Sequence, residues 1–174
     1  MGVVRTFVLA LLVTAAVVLQ VAAFSYLSYD GVVPNLALLL VVASALVRGP
    51  DFAMVLGFFA GLAVDLAPPA DHVAGRWALA LVVVGFLAGR VRPESGTDLR
   101  LTATSVVATV AASSFVGTSV FALSGMLLRD PSVPVAEALQ VIPVAVVYDV
   151  LLTPFVLPLA MRLLRRIQPH RVAY

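Results

Sequence analysis

The sequence predicts an all-α, polytopic membrane protein: a bundle of about six transmembrane helices with both termini in the cytoplasm. The 174-residue chain is 62% hydrophobic and only 11% charged, whereas an average soluble domain is about 25% charged. Its apolar residues fall into successive blocks separated by charged or Pro/Gly-rich breaks, and its arginines concentrate in alternate breaks. We therefore expect one integral membrane domain, residues 1–174, without a soluble domain.

The first apolar block, Thr6–Tyr26, is long enough to cross the membrane, since about 20 helical residues span the hydrocarbon core. It also resembles a signal peptide, because Arg5 precedes an apolar core and Val21–Ala23 offers a small-residue cleavage site. However, the apolar stretch is long for a signal peptide, and cleavage would leave an odd number of spans. We interpret this block as an uncleaved first helix.

The second block, residues 32–47, and the third, residues 52–66, are each near the lower length limit for a crossing. They are joined by the tight turn Arg48–Asp51. The two blocks form either two crossings or a re-entrant pair of half-helices. Both arrangements leave the two termini on the same side of the membrane.

The fourth block, residues 73–89, carries Trp77 as a candidate interfacial anchor. The fifth and sixth blocks, residues 101–128 and 138–164, are longer than a perpendicular crossing needs. We expect these two helices to tilt, kink or project from the bilayer.

The placement of arginine predicts the orientation. With the N-terminus in the cytoplasm, only Arg76 and Arg129 face outward. The cytoplasmic arginines are then Arg5, Arg48, Arg90, Arg92, Arg100, Arg162, Arg165, Arg166 and Arg171. This bias follows the positive-inside rule and predicts an even number of spans.

The residues that usually carry catalysis are scarce in this sequence. Cysteine is absent, which excludes disulfides and thiolate sites. His72 and His170 fall on opposite sides of the predicted membrane, so they cannot share a metal or a catalytic triad. Phosphate-binding loops and metalloprotease or hydrolase motifs are also missing. We expect no enzymatic activity, cofactor, metal or nucleic-acid partner.

Asp149 lies deep in the sixth block, about 16 Å from its start at a rise of 1.5 Å per residue. A carboxylate at that depth costs about 2.5–3.5 kcal/mol on insertion scales, so it should face the bundle. Candidate partners are the backbone freed by Pro154 and Pro158 and hydroxyls of the fifth helix. Those hydroxyls belong to Ser113, Ser114, Thr118 and Ser119. We favour a polar clasp that fixes helix packing over a substrate or proton site.

The third block carries small residues and an acid at four-residue spacing: Ala53, Gly57, Gly61 and Asp65. Residues four apart lie on one helix face, and small residues there let another backbone approach closely. This face is predicted to pack a helix or bind a partner. Asp65, at the outer end, is either an interfacial residue in water or an acceptor for a partner, for Arg76 or for His72.

Three segments resemble the rod shape-determining protein MreD family. They are Pro34–Pro50, with its Pro-Asn start and Arg-Gly-Pro turn, Gly57–Leu66, with its GxxxGxxxDL pattern, and Tyr148–Arg166, with a basic end after Thr-Pro. The similarity covers nearly the whole chain in the same order. The Pro-rich, polar loop Ala67–Leu79 departs from the family pattern.

The resemblance implies a non-enzymatic membrane scaffold of the bacterial cell-elongation machinery. Its expected direct partner is the single-span protein MreC. Through MreC it would act with the peptidoglycan polymerase RodA and a class B penicillin-binding protein. A second copy of the chain is a further candidate partner.

The family is also distantly similar to substrate-binding subunits of energy-coupling-factor transporters. The alternative function is therefore capture of a small vitamin-type solute, with Asp65 and Trp77 lining the pocket. Such subunits often carry an AxxxA pattern on the first helix, whereas this chain has AxxxT at Ala10–Thr14. That difference favours the scaffold.

Overall fold

The computed structural model describes residues 2–28, 32–68, 73–91, 102–128 and 135–167. Every regular element in these ranges is helical, so the predicted all-α class is confirmed. A short 3-10 helix, Phe24–Leu27, follows the first α-helix. The α-helices are α1 Gly2–Ala22, α2 Leu36–Arg48, α3 Pro50–Asp65, α4 Arg76–Arg90, α5 Ala103–Leu127 and α6 Val135–Arg166.

Each predicted apolar block corresponds to one of these helices, with shifted ends. The start of α2 shifts by four residues, since it was expected at Val32 and lies at Leu36. The reason is local: Pro34 disfavours a helical conformation in the residue before it, and the Asn35 side chain caps the helix. Several residues used in the predictions lie outside the described ranges: His72, Arg92, Arg100, Arg129, His170 and Arg171.

Three of the helices are long and apolar enough to cross a membrane. The spanning stretches are Val3–Ala22, Ala103–Leu127 and Gln140–Arg166, of 20, 25 and 27 residues. Since about 20 helical residues cross the hydrocarbon core, the chain is a helical membrane protein. Much of each stretch faces outward; only 17% of the α1 window is buried.

The other three helices are shorter. α2 has 13 residues, α3 has 16 and α4 has 15, which correspond to lengths of roughly 20–24 Å at 1.5 Å per residue. The hydrocarbon core is about 30 Å thick. At least one end of each short helix therefore has to be satisfied inside the bundle or at its rim.

The helix at the centre of the bundle is α2. All its residues from Leu36 to Val47 are buried, and it contacts each of the other five α-helices. A helix that is apolar on every side is stable only when protein or lipid surrounds it. Gly49 alone separates α2 from α3, and its positive φ of 93° permits this abrupt turn. The buried start of α2 is one of the polar junctions described next.

Candidate functional site: a small-residue helix face and two buried carboxylates

The small-residue face of α3 packs against α4, which gives the most extensive contact between two helices in the bundle. A methyl group added at Gly57 would lie 2.8 Å from the Leu81 carbonyl carbon and closer still to its oxygen. One added at Gly61 would overlap the backbone of Trp77 and Ala78. Close approach of two backbones therefore requires glycine at both positions.

Glycines of α4 complete the same contact from the other side. A methyl group at Gly85 would lie 2.7 Å from the carbonyl of Ala53, and one at Gly89 would overlap Pro50. The two helices thus run antiparallel, with a bare position on one facing the backbone of the other. Ala53 and Gly57 are buried in this contact, so the face that was predicted to pack a helix or bind a partner is occupied by the chain's own α4.

Asp65, the last residue of α3, is 2% exposed. Its Oδ2 accepts hydrogen bonds from the amides of Gly75 at 2.9 Å and Ala78 at 3.1 Å, and its Oδ1 accepts from the Trp77 amide at 3.0 Å. The carboxylate therefore caps the start of α4. This differs from the expectation of an interfacial residue in water. It also differs from acceptance of a partner's donors, because the chain itself supplies these three.

The electrostatics of this position explain the burial. A carboxylate at the C-terminus of its own helix is disfavoured by the helix dipole, but one at the N-terminus of another helix is favoured. Asp65 is in both positions, and it accepts hydrogen bonds from three amides at the α4 end. Gly75, with a φ of 99°, adopts the left-handed conformation that turns the loop back onto this carboxylate.

Arg76 opens α4 and is 1% exposed. Its guanidinium lies 3.9 Å from the centre of the Phe121 ring, and Nη2 donates to the Phe121 carbonyl at 2.8 Å. The adjacent Trp77 ring stacks on Phe121 with centroids 4.5 Å apart. The guanidinium also contacts Gly125, where any side chain would overlap it. This region joins α3, α4 and α5 at one end of the bundle.

The burial of Arg76 was not foreseen, since it was counted as an outward-facing loop arginine. A signal does exist in the sequence. Arg76 directly precedes an apolar helix whose partner, α5, carries a glycine in its last turns. An arginine can place its stem against apolar surface while its charged head finds acceptors. Here the acceptor is a main-chain carbonyl, which composition does not reveal.

Asp149 is 1% exposed and joins three helices. Its Oδ2 accepts from the Ser114 hydroxyl of α5 at 2.6 Å, and its Oδ1 accepts from the Asn35 amide, directly before α2, at 2.8 Å. Ser114 is one of the hydroxyls expected near this carboxylate. The Asn35 amide was not foreseen. Thr153, one turn further along α6, donates its hydroxyl to the Asp149 carbonyl at 2.8 Å.

The other residues expected near the Asp149 carboxylate make different contacts. Pro154 and Pro158 lie on the exposed side of α6 and line a groove against α5, away from the Asp149 carboxylate. The Thr118 hydroxyl donates within α5, to the Ser114 carbonyl at 2.8 Å. The predicted clasp therefore consists of Asp149, Ser114 and the start of α2, without a direct bond from the carboxylate to a proline-freed carbonyl.

Side chains satisfy the other amides at the start of α2. Gln20 of α1 accepts from the Ala37 amide at 3.3 Å, and the Asn35 side-chain oxygen accepts from the Leu38 amide at 2.9 Å. α1, α5 and α6 thus all converge on this helix start. The Asn35 Nδ2 group is buried without a hydrogen-bond partner.

The chemistry available to these two junctions is limited. Each carboxylate accepts bonds from groups of its own chain, and within the described ranges no three His, Asp or Glu side chains gather as metal ligands. Both junctions connect a carboxylate to the N-terminus of another helix, which is a structural use of charge.

Comparisons of the chain with protein-family models, curated proteins and solved structures found no match. The functional argument therefore depends on the junctions described above and on the resemblance of the three sequence segments.

Proposed function

We propose that this chain is a non-enzymatic scaffold of the bacterial cytoplasmic membrane that docks MreC and supports peptidoglycan synthesis during cell elongation. The observation that carries the proposal is the use of both buried carboxylates. Asp65 and Asp149 each accept a backbone amide at the start of another helix. The polar groups inside the bundle are thus engaged in fixing helices, as a scaffold requires.

The segments that resemble the MreD family supply these junctions. Asn35 belongs to the first segment, Gly57, Gly61 and Asp65 to the second, and Asp149 to the third. Gly57, Gly61 and Asp65 contact α4 or the residue before it, and Asn35 and Asp149 link the start of α2 to α6. The residues that carry the family resemblance thus hold helices together, which is consistent with a scaffold role.

The docking surface for MreC is proposed to lie on α1 and the adjacent exposed side of α3. The small-residue face of α3 is buried against α4, so it cannot receive a partner helix without disrupting the bundle. Within the described ranges, α1 contacts only α2, α3 and the short 3-10 helix, and Phe7, Leu11 and Val18 on it are more than half exposed. A single-span partner would pack against such a peripheral helix through van der Waals contacts.

Co-purification tests this proposal. The tagged chain is co-expressed with MreC, and the amount of MreC recovered per folded chain is measured. The wild-type chain should recover MreC, and Ala10→Trp, in the groove between α1 and α3, should lower that recovery several-fold. Val147→Trp, on the exposed side of α6, is the matched control. Absence of MreC from the folded wild-type protein would refute the scaffold, and unchanged recovery with Ala10→Trp would refute docking at α1.

Through MreC, the chain would act indirectly on RodA and a class B penicillin-binding protein, and a second copy remains a candidate partner. The alternative function, capture of a vitamin-type solute, requires Asp65 and Trp77 to line the solute pocket. Asp65 is 2% exposed with three backbone donors, and Trp77 stacks on Phe121. These contacts favour the scaffold over solute capture.

We also propose six crossings with both termini in the cytoplasm. The support is that Gly89 of α4 contacts Pro50 of α3, so Arg48 and Arg90 share one end of the bundle. Positive charge at one end follows the positive-inside rule. Because the chain has no cysteine, single cysteines can be placed and labelled with a membrane-impermeant maleimide.

Two positions decide the topology. The Tyr26 side chain is 90% exposed, so Tyr26→Cys should be labelled in intact spheroplasts. Asp51, exposed in the first turn of α3, should be labelled as Asp51→Cys only after the membrane is opened. Labelling of Asp51→Cys in intact spheroplasts would contradict the orientation. Failure of Asp51→Cys to react even after opening would instead indicate the re-entrant pair.

A further inference from the structure

An apolar groove of about 550 Å³ runs between the first half of α5 and the second half of α6. Its walls include Val107 of α5 and Leu157, Pro158 and Met161 of α6. The groove opens toward the surroundings of the bundle, and its volume is in the range of small-molecule sites, about 300–1,000 Å³. It borders the Asp149 junction, since Thr153 lines the groove and donates to the Asp149 carbonyl.

The length of the groove matches one leaflet of a bilayer. Its lining on α6 extends from Val150 to Arg165, which corresponds to about 22 Å at 1.5 Å per residue. Half of a hydrocarbon core of about 30 Å is about 15 Å. The groove therefore covers the depth of a lipid chain and reaches beyond it into the headgroup region.

The headgroup end of the groove is positively polarised. Arg165, exposed in the last turn of α6, lines this end together with Ala103, the first residue of α5. At the start of α5, Ser105 donates its amide to the Thr102 side chain, and Ala103 and Thr104 are exposed. An arginine and a helix N-terminus at one place both favour an anion.

We propose that this groove binds one anionic phospholipid, in the leaflet that contains the C-terminal end of α6. The lipid phosphate lies between Arg165 and the start of α5, and one acyl chain occupies the apolar groove. Arg165 is the charged side chain of the described lining, and a guanidinium there favours a headgroup with net negative charge. This site is independent of the scaffold proposal.

Native mass spectrometry of the full-length protein tests the site. The protein is purified in detergent and mixed with phosphatidylglycerol or phosphatidylcholine of the same acyl chains. The wild-type protein should retain phosphatidylglycerol in preference to phosphatidylcholine. Arg165→Gln should lower phosphatidylglycerol retention about fivefold, the effect of one basic residue near an anionic surface. Arg90→Gln, a terminal arginine of α4 outside the groove, should retain the wild-type level.

A second pair of variants tests the apolar part. Val107→Trp fills the groove and should reduce retention of the lipid, whereas Val147→Trp, on another exposed part of α6, should not. Folding of every variant is checked by size-exclusion chromatography, because the two tryptophan variants add a second fluorophore beside Trp77. Equal retention of the two lipids, an equal effect of Arg165→Gln and Arg90→Gln, or full retention by Val107→Trp would each overturn the proposal.

Discussion

Replacing Asp65 with alanine is predicted to be among the most damaging single changes at a polar position of this bundle. The substitution removes the acceptor of three amides, those of Gly75, Trp77 and Ala78. A buried donor left unpaired costs about 1–3 kcal/mol, so the three together could cost about 3–9 kcal/mol. Gly75 and Trp77 are only partly buried, so water replaces part of the loss. We expect a loss of about 3–5 kcal/mol.

Asp65→Asn should give an intermediate loss. The amide oxygen can replace either Oδ2, which serves Gly75 and Ala78, or Oδ1, which serves Trp77. The new amino group takes the other place, where it faces an N–H donor and cannot accept a hydrogen bond. One or two bonds are lost, which corresponds to about 1–3 kcal/mol. The order alanine, asparagine, wild type in increasing stability is thus a consequence of the geometry.

Unfolding in detergent measures these differences, with the fluorescence of Trp77 as the signal. Trp77 is the only tryptophan, and its amide is one of the three that Asp65 binds. A loss of about 3–5 kcal/mol should lower the melting temperature by about 6–20 °C in a chain of this size. The control is Asp51→Ala, an exposed acid in the first turn of α3, for which we expect at most about 1 kcal/mol. If Asp65→Ala and Asp51→Ala melt alike, the capping argument is wrong.

Two further predictions concern the other junctions. Asp149→Asn should be nearly silent, because the new oxygen can accept from Asn35 and the Ser114 hydroxyl can rotate to accept from the new amino group. Asp149→Leu should lower the folded yield, measured by size-exclusion chromatography. Equal folded yields of the two variants would contradict this prediction. Gly61→Ala should lower the melting temperature, although alanine is usually about 0.5–1 kcal/mol better than glycine inside a helix, because its methyl group meets the Ala78 backbone. Gly117→Ala, which meets only side-chain ends at 3.1 Å, is the control and should be near neutral.

The positions of the helices could be predicted from the sequence because a helix surrounded by lipid needs a continuous run of apolar residues. The fifth block was expected at residues 101–128 and α5 occupies Ala103–Leu127. The ends of the first block were less accurate, because hydrophobicity alone cannot separate the end of α1 at Ala22 from the 3-10 helix that follows it. Apolar character continues across that boundary.

The polar partners could be predicted only in part. A deep carboxylate needs a donor, and the hydroxyls of the fifth helix were visible in the sequence, so Ser114 was a candidate beside Asp149. The Asn35 amide, and the three amides that Asp65 binds, belong to the main chain and have no side-chain signature. Whether Asp65 was in water or buried depended on how the loop to α4 folds back, which local sequence patterns do not determine.

The lengths of the helices explain why the two acids are placed where they are. α2 extends about 20 Å from Leu36 to Arg48, so when Arg48 is at one membrane surface, the start of α2 lies about 10 Å below the other. The amides there have no water to bind, and each would cost several kcal/mol if left unpaired in hydrocarbon. Asp149 and Gln20 supply acceptors at that depth. α4 begins with the same difficulty, and Asp65 supplies its acceptors. Short helices at the centre of a membrane bundle thus require buried acceptors at their N-termini, and this requirement gives both acids a structural role.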